Sequence, residues 1–383
     1  MDLNPKTKLI TESLTVRLNS LAKKLLSEGK DIVNLTAGEL DFPTPLYIQK
    51  EIKRNVSLNK YTSTLGFPSL QKAIVDLVYK DYKWKVAEKN IAVTSGSKQA
   101  LFESMFAILK KGDEVIVPSP DWVTYRNQII LNDALPVVVP LDEHFDLNVK
   151  KIKKAISQKT KAIILNSPNN PTGSVYSRQS LAKLSKILKN KKIYLIVDDI
   201  YSKIFFDKTY KSPAYFVPDK KYLILVNGFS KSQALTGWRI GYVVASSEII
   251  EAIASFQSHT TGNAPLLSQI AALKIIQTGD DTKKFVKVLR KRRDKVNEIL
   301  SNIPNISYEL PRGAFYYFID VSKIEVDTVK FCKHLLEKGL ALVPGEAFGR
   351  SGFVRLSFAA SLPTIIKGLK IFKEVGIPGL NIS

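Results

Sequence analysis

Residues 91–117 read IAVTSGSKQALFESMFAILKKGDEVIV. Ile91 to Thr94 is a short apolar run, the turn Thr94-Ser95-Gly96-Ser97 interrupts it, and Ala100, Leu101, Met105, Ile108 and Leu109 then recur at helical spacing. Lys110, Lys111 and Gly112 supply a basic last turn and a C-terminal glycine, after which Glu114 to Val117 is apolar again. Further runs rich in Val, Ile and Leu follow at Leu135 to Val139, Ala162 to Leu165, Ile193 to Val197, Tyr222 to Val226 and Gly241 to Ala245. Helical patterns separate many of them, one beginning after Ser180 with Leu181, Leu184, Ile187 and Leu188 on a single stripe. This is the signature of an α/β protein, with about seven strands in one mostly parallel sheet. The runs are continuously apolar rather than alternating, as expected of strands covered by helices on both faces.

Beyond residue 265 the pattern changes to a long charged helical stretch reaching about Leu300, strand-like Gly313 to Ile319, a helix over Val329 to Lys338, and strand-like Phe353 to Phe358. That reads as a smaller α+β domain completed by the N-terminal segment. The expected division is an arm and part of the small domain at 1–46, a large domain at 47–275, and the rest of the small domain at 276–383.

With 383 residues, 45% hydrophobic and 24% charged, the chain can bury a core without disulfides, and a largely disordered or collagen-like chain is excluded. One cysteine and three histidines leave no disulfide framework and little material for a metal site, so no metal is expected. Charge is the unusual quantity, a net +22 from 57 Lys and Arg against 35 Asp and Glu. The basic clusters at Lys150 to Lys154, Lys189 to Lys192 and Arg290 to Lys295 are scattered between apolar helical positions. They read as solvated lysine surface that steers anionic substrates, and no nucleic-acid partner is expected. Met1 to Ser20 has no signal-peptide core, and no apolar run reaches membrane-spanning length, so a cytoplasmic protein without a membrane partner is expected.

Residues 227–241, NGFSKSQALTGWRIG, lie between two candidate strands. A lysine among small and apolar residues can be buried, which lowers its pKa and makes it a nucleophile toward an aldehyde. Arg239, flanked by Gly237 and Gly241, can fork onto a phosphate. Read alone, Lys231 is equally one of many solvated lysines. The stretch nonetheless resembles the pyridoxal-phosphate lysine signature of class I and II aminotransferases, and further motifs occur in that family's order: NLTAGELDF at 34–42, YTSTLG at 61–66, SPNNPTG at 167–173, DDIY at 198–201 and PRGAFY at 311–316. The likeness covers nearly the whole chain and is greatest toward bacterial-type aspartate aminotransferases.

The resemblance implies pyridoxal 5'-phosphate as cofactor and assigns roles. Lys231 is the Schiff-base lysine and proton carrier, Asp198 the partner of the pyridinium nitrogen, and Tyr201 and Asn170 the groups that bind the ring's phenolic oxygen. Trp122, in PSPDWVTY at 118–125, is the stacking aromatic, while Gly96, Ser97 and Lys98 form the phosphate loop, completed by Arg239 and by Tyr61 from a neighbouring subunit. The working unit is then a homodimer with shared sites. Arg355, in FVRLSF at 353–358, takes the substrate α-carboxylate under the backbone of Gly38, and Lys98 takes a distal carboxylate.

On the residues alone the alternatives stay open. Asp198 is equally a helix cap, Trp122 core packing, Arg355 a surface arginine on an edge strand, and Lys98 a helix-start lysine facing solvent. The implied activity is ping-pong transfer of the amino group of an amino acid, aspartate first, to a 2-oxo acid such as 2-oxoglutarate. The rivals are an aromatic amino acid aminotransferase, a carbon–sulfur β-lyase on the same scaffold, and a polyanion-binding regulatory protein.

Overall fold

The computed structural model describes residues 4–10, 12–279 and 281–375; the first three and last eight positions of the expected small-domain segments lie outside the described residues. In chain order the strands are β1 (Val33–Asn34), β2 (Ile91–Thr94), β3 (Glu114–Ser119), β4 (Leu135–Pro140), β5 (Thr160–Asn166), β6 (Tyr194–Asp198), β7 (Leu223–Gly228), β8 (Gly241–Val244), β9 (Ser307–Tyr308), β10 (Tyr316–Asp320), β11 (Leu340–Ala341), β12 (Val343–Pro344) and β13 (Phe353–Ser357). The first large sheet has seven strands in the order β2-β8-β7-β6-β5-β3-β4. Only β8 runs against its neighbours. The remaining pairs are parallel.

Strand side chains alternate between two apolar cores. Ile91, Val93, Ile163, Leu165, Leu195 and Val197 join one face, packed under helices Pro68–Tyr82, Arg178–Leu188 and Leu266–Thr278. Ala92, Val115, Val117, Ala162, Ile164 and Ile196 join the other, under helices Ser97–Ile108, Thr124–Leu131 and Ser247–Ser258. Burial of both sets explains why six of the strands read as unbroken apolar runs; the expected cover on both faces fails for edge strand β4, where Leu135 and Val138 are exposed.

A second, antiparallel sheet has the order β12-β13-β10-β9, and β1 pairs with β11 in parallel, Val33 opposite Leu340. Their shared core takes Val33 and Leu35 from the N-terminal segment together with Leu289, Val296, Leu356 and Phe372.

Element ends differ from the sequence reading for local reasons. The helix expected after Ser180 starts at Arg178, because the Ser177 hydroxyl accepts from the Ser180 N–H at 3.0 Å and caps it. The helix at 97 stops at Ile108, with Leu109 already extended, so Lys110 and Lys111 lie in the following turn. The long charged stretch is two helices, Leu266–Thr278 and Thr282–Leu300, since Gly279 at φ +94° leaves helical space.

Candidate active site

The carboxyl ends of parallel strands are where an open α/β sheet leaves a crevice, here between β3 and β5, where the strand order reverses. A cavity of about 420 Å³ lies there. Ser97 and Lys98 reach it from the turn after β2, Trp122 from the loop after β3, Asn170 from the loop after β5, and Asp198 and Tyr201 from the end of β6. Lys231 and Arg239 enter between β7 and β8, and Gly38 and Arg355 close it from the second sheet's side. Two expected residues do not line it. Gly96 adjoins through Arg239, and Tyr61 is 96% exposed on its own chain.

Lys231 donates from Nζ to the carbonyl of Gly38. Burial lowers its pKa to about 8, Arg355 and Arg239 push the same way, and Glu39 and Asp198 oppose them. Asp198 is buried and accepts from the Tyr125 hydroxyl at 2.7 Å and the Ile200 N–H at 3.3 Å. It has no ion-pair partner among the described residues, and burial raises its pKa to about 6 against those two donors and the more distant Lys231. Its neighbour Asp199, fully buried, accepts from Tyr82 at 2.8 Å and is raised to about 7, burial again dominating.

Arg355 occupies the middle of the second sheet, between Phe318 and Val343, and is 3% exposed, so the edge-strand surface alternative is excluded. Val354, Leu356 and Phe358 point to the core and leave the guanidinium on the cavity side. Its Nη1 donates to Asn170 Oδ1 at 2.8 Å and its Nη2 to the Thr36 carbonyl at 2.7 Å, while the buried Nε has no acceptor. Tyr316 and Phe348 rings flank the cation at 4.4 and 4.9 Å. Tyr201 shares a 2.9 Å hydrogen bond with Tyr316. Lys98 is exposed, yet its Nζ lies 5.1 Å from the Trp122 ring centre at the cavity wall, and partial desolvation followed by Arg239 lowers its pKa.

The turn after β2 is shaped for an anion. Gly96 caps the helix at φ +85°, ψ 163°, a region open essentially to glycine, and a Cβ there would stand 2.6 Å from Arg239 Nη2. Gly241 brings the start of β8 against the same turn, where a Cβ would meet the Ser97 nitrogen at 2.6 Å. Among the described residues the N–H groups of Ser97 and Lys98 find no backbone acceptor, and the Ser97 hydroxyl donates to Asn227 O at 3.2 Å. Free amides at a helix start beside a guanidinium form an anion cradle.

Sequence reasoning missed Tyr125, Tyr316, Thr36, Asn166, and the wall formed by Asn19, Lys23 and Glu39. Tyr125 carried a usable signal, standing three residues after Trp122 at the start of a helix. Among the described residues no group of His, Cys, Asp and Glu is arranged to hold a metal, and no helix is long and apolar enough to cross a membrane.

Across the cavity a half-buried Lys231 of lowered pKa faces Asp198 and the anion cradle, an arrangement suited to a pyridoxal-phosphate-dependent transaminase. The chain belongs to the family Aminotransferase class I and II, whose sequence model matches residues 30–365. It is 40% identical over 362 residues to the aspartate aminotransferase of Thermotoga maritima, covering 93% of this chain and 94% of that one. It is 39% identical over 377 residues to a protein of Aquifex aeolicus named probable aspartate/prephenate aminotransferase, covering 94% and 95%. The crystal structure of Thermus thermophilus aspartate aminotransferase with maleate superposes with a TM-score of 0.93 at 36% identity, over 98% of this chain and all of that one. The fold is that of aspartate aminotransferase, and the enzyme transfers amino groups.

Proposed function

We propose that this chain carries pyridoxal 5'-phosphate on Lys231 and moves the amino group of aspartate to 2-oxoglutarate. One observation carries the reading: the Lys231 amine, lowered to about 8, faces a cavity that also holds a cation-starved carboxylate and an anion cradle. When bound, the cofactor supplies an aldehyde for amines and a ring that accepts electrons from the substrate's α-carbon. Asp198 would hold the ring nitrogen's proton, which satisfies a carboxylate otherwise buried without a cation. Tyr201 and Asn170 would bind the ring oxygen, and Trp122 would cover the ring face. Gly96, Ser97, Lys98 and Arg239 would hold the phosphate, with Tyr61 added from the second copy of a dimer. Arg355 would take the α-carboxylate by its guanidinium on the cavity side, and Lys98 would take the distal one. Lys231 Nζ would act as the base that takes the α-proton and the acid that gives it back.

The division at 47–275 and at 1–46 with 276–383 belongs to this reading, because the cavity is walled from both parts. The test adds single amino acids to the purified, cofactor-loaded protein and follows the cofactor's visible band and the oxo acid formed. Aspartate should bleach the band at the lowest concentration, giving about one oxaloacetate per site by itself and many turnovers only with 2-oxoglutarate. Pyruvate and ammonia formed without an acceptor would favour the lyase, and full activity in Lys231→Ala would overturn the mechanism.

A further inference from the structure

The excess of positive charge is concentrated in one part of the chain. Between Asp146 and Asp198 lie 11 lysines and one arginine and not a single Asp or Glu. Within this stretch, helices Val149–Ala155 and Arg178–Leu188 cover the same face of the large sheet, turning Ile152, Leu181, Leu184 and Leu188 into the core. The interleaved lysines therefore turn outward together, and clusters that look scattered along the sequence meet in space. Lys153, Lys186 and Lys191 line a groove of about 380 Å³ over Ile156 and Ile187. Lys150, Lys151, Lys154, Lys183, Lys189 and Lys192 are exposed on the same helices and the turn that follows. None of these nine ammonium groups has an ion-pair or hydrogen-bond partner among the described residues.

We propose that this two-helix face docks the phosphate backbone of a nucleic-acid duplex. A duplex carries one charge per about 1.7 Å of axis with both strands counted, and an 11-residue helix spans about 16 Å, so of roughly nine phosphate charges along it those on the facing side lie opposite the nine lysines. A membrane surface fits less well, because no large hydrophobic side chain between 147 and 197 is exposed to anchor it. A single strand fits less well too. The stretch offers only Tyr176, which is buried, and Tyr194, which is packed edge-on against Tyr222, for stacking. Binding is therefore to phosphates and independent of base sequence. None of these lysines lines the active cavity, so occupation of the face leaves that cavity's walls untouched.

The experiment titrates the cofactor-loaded protein into a fluorescent DNA duplex of about 20 base pairs and reads anisotropy across a salt series. Wild type should bind at about 0.15 M salt, and the triple variant Lys153→Glu, Lys186→Glu, Lys191→Glu should bind at least about tenfold more weakly, its log–log salt slope smaller by about three. The matched variant Lys80→Glu, Lys287→Glu, Lys333→Glu has the same net charge and should stay within about threefold of wild type. Amino-transfer activity and melting temperature should be unchanged in both, and a Lys→Gln version of the first triple guards against new contacts. Equal weakening by the two triples, no binding by wild type at that salt, or preference for vesicles rich in anionic lipid over the duplex would each overturn the proposal.

Discussion

Replacing Asp198 with Asn should stabilise the protein while disabling it. Burial raises the Asp198 carboxyl from its ordinary 3.8 to about 6 in the cofactor-stripped fold, so the folded state holds a proton that the unfolded chain releases. For such a group, stability is fully present below the unfolded pKa and is lost as pH rises through the folded one. The loss proceeds at 1.36 kcal/mol per pH unit between about 4 and 6 and levels off near 3 kcal/mol above pH 7. Asn has no proton to lose and still accepts from Tyr125. Cofactor-stripped Asp198→Asn should therefore match wild type near pH 3.5 and exceed it by about 3 kcal/mol at pH 8, with Asp199 common to both proteins and cancelling to first order. Denaturant melts at half-unit pH intervals measure this directly. Cofactor titration should show the opposite sign, the variant binding pyridoxal phosphate more weakly because the ring nitrogen loses its anion. A stripped variant no more stable than wild type at pH 8 would refute the claim that the carboxylate is kept at a cost for want of a cation.

Gly96→Ala places a methyl 2.6 Å from Arg239 in a backbone region closed to alanine, so about 1–3 kcal/mol of strain should appear as a lower melting temperature and at least tenfold weaker cofactor binding. Arg355→Lys keeps the charge but loses the fork held by Asn170 and Thr36. Steady-state kinetics should show kcat/KM for the amino donor falling by about 30- to 100-fold, about 2–3 kcal/mol, with cofactor affinity intact. Tyr82→Phe removes the donor to Asp199 and the acceptor for Asn227, so Asp199 should rise further above about 7. Its destabilisation, about 1–3 kcal/mol in urea melts, should be greater at pH 8.5 than at pH 6.

What the sequence made legible follows from how each signal is written. Six of the seven strands were visible because burial on both faces demands uninterrupted Val, Ile and Leu, and edge strand β4 shares the composition although Leu135 and Val138 are exposed. Strand order was not visible, since the reversal between β3 and β5 is set by crossover packing rather than by composition. Lys231, Asp198 and Arg239 stood out through their motif neighbours, whereas Tyr125 and Tyr316 act by hydroxyls that any core tyrosine also carries. That two lysine clusters share a groove was hidden for a related reason. Periodicity showed that each helix turned its lysines outward, but only tertiary packing reveals that two helices share one face.

The electrostatics of the cavity describe the molecule that completes it. At one end Asp198 is pushed toward its neutral form by burial without a cation. Toward the other, Lys98, Lys231 and Arg355 are all pushed toward neutral, again mainly by burial, with cationic neighbours adding to the shift for Lys98 and Lys231. These opposed deficits relieve each other only in part, through the Lys231–Asp198 attraction, because Tyr125, Tyr201 and Tyr316 fix the carboxylate and the arginine in separate hydrogen-bonded or stacked settings. A ligand that cancels both must carry a cationic or proton-donating group where Asp198 lies and anionic groups toward the cradle and Arg355. An amino acid joined to a phosphorylated pyridine meets that description. A neutral or uniformly cationic ligand would leave at least one buried charge uncompensated. The cost of desolvating these groups is thus offset on binding, which ties the strength of binding to the charge pattern that the chemistry needs.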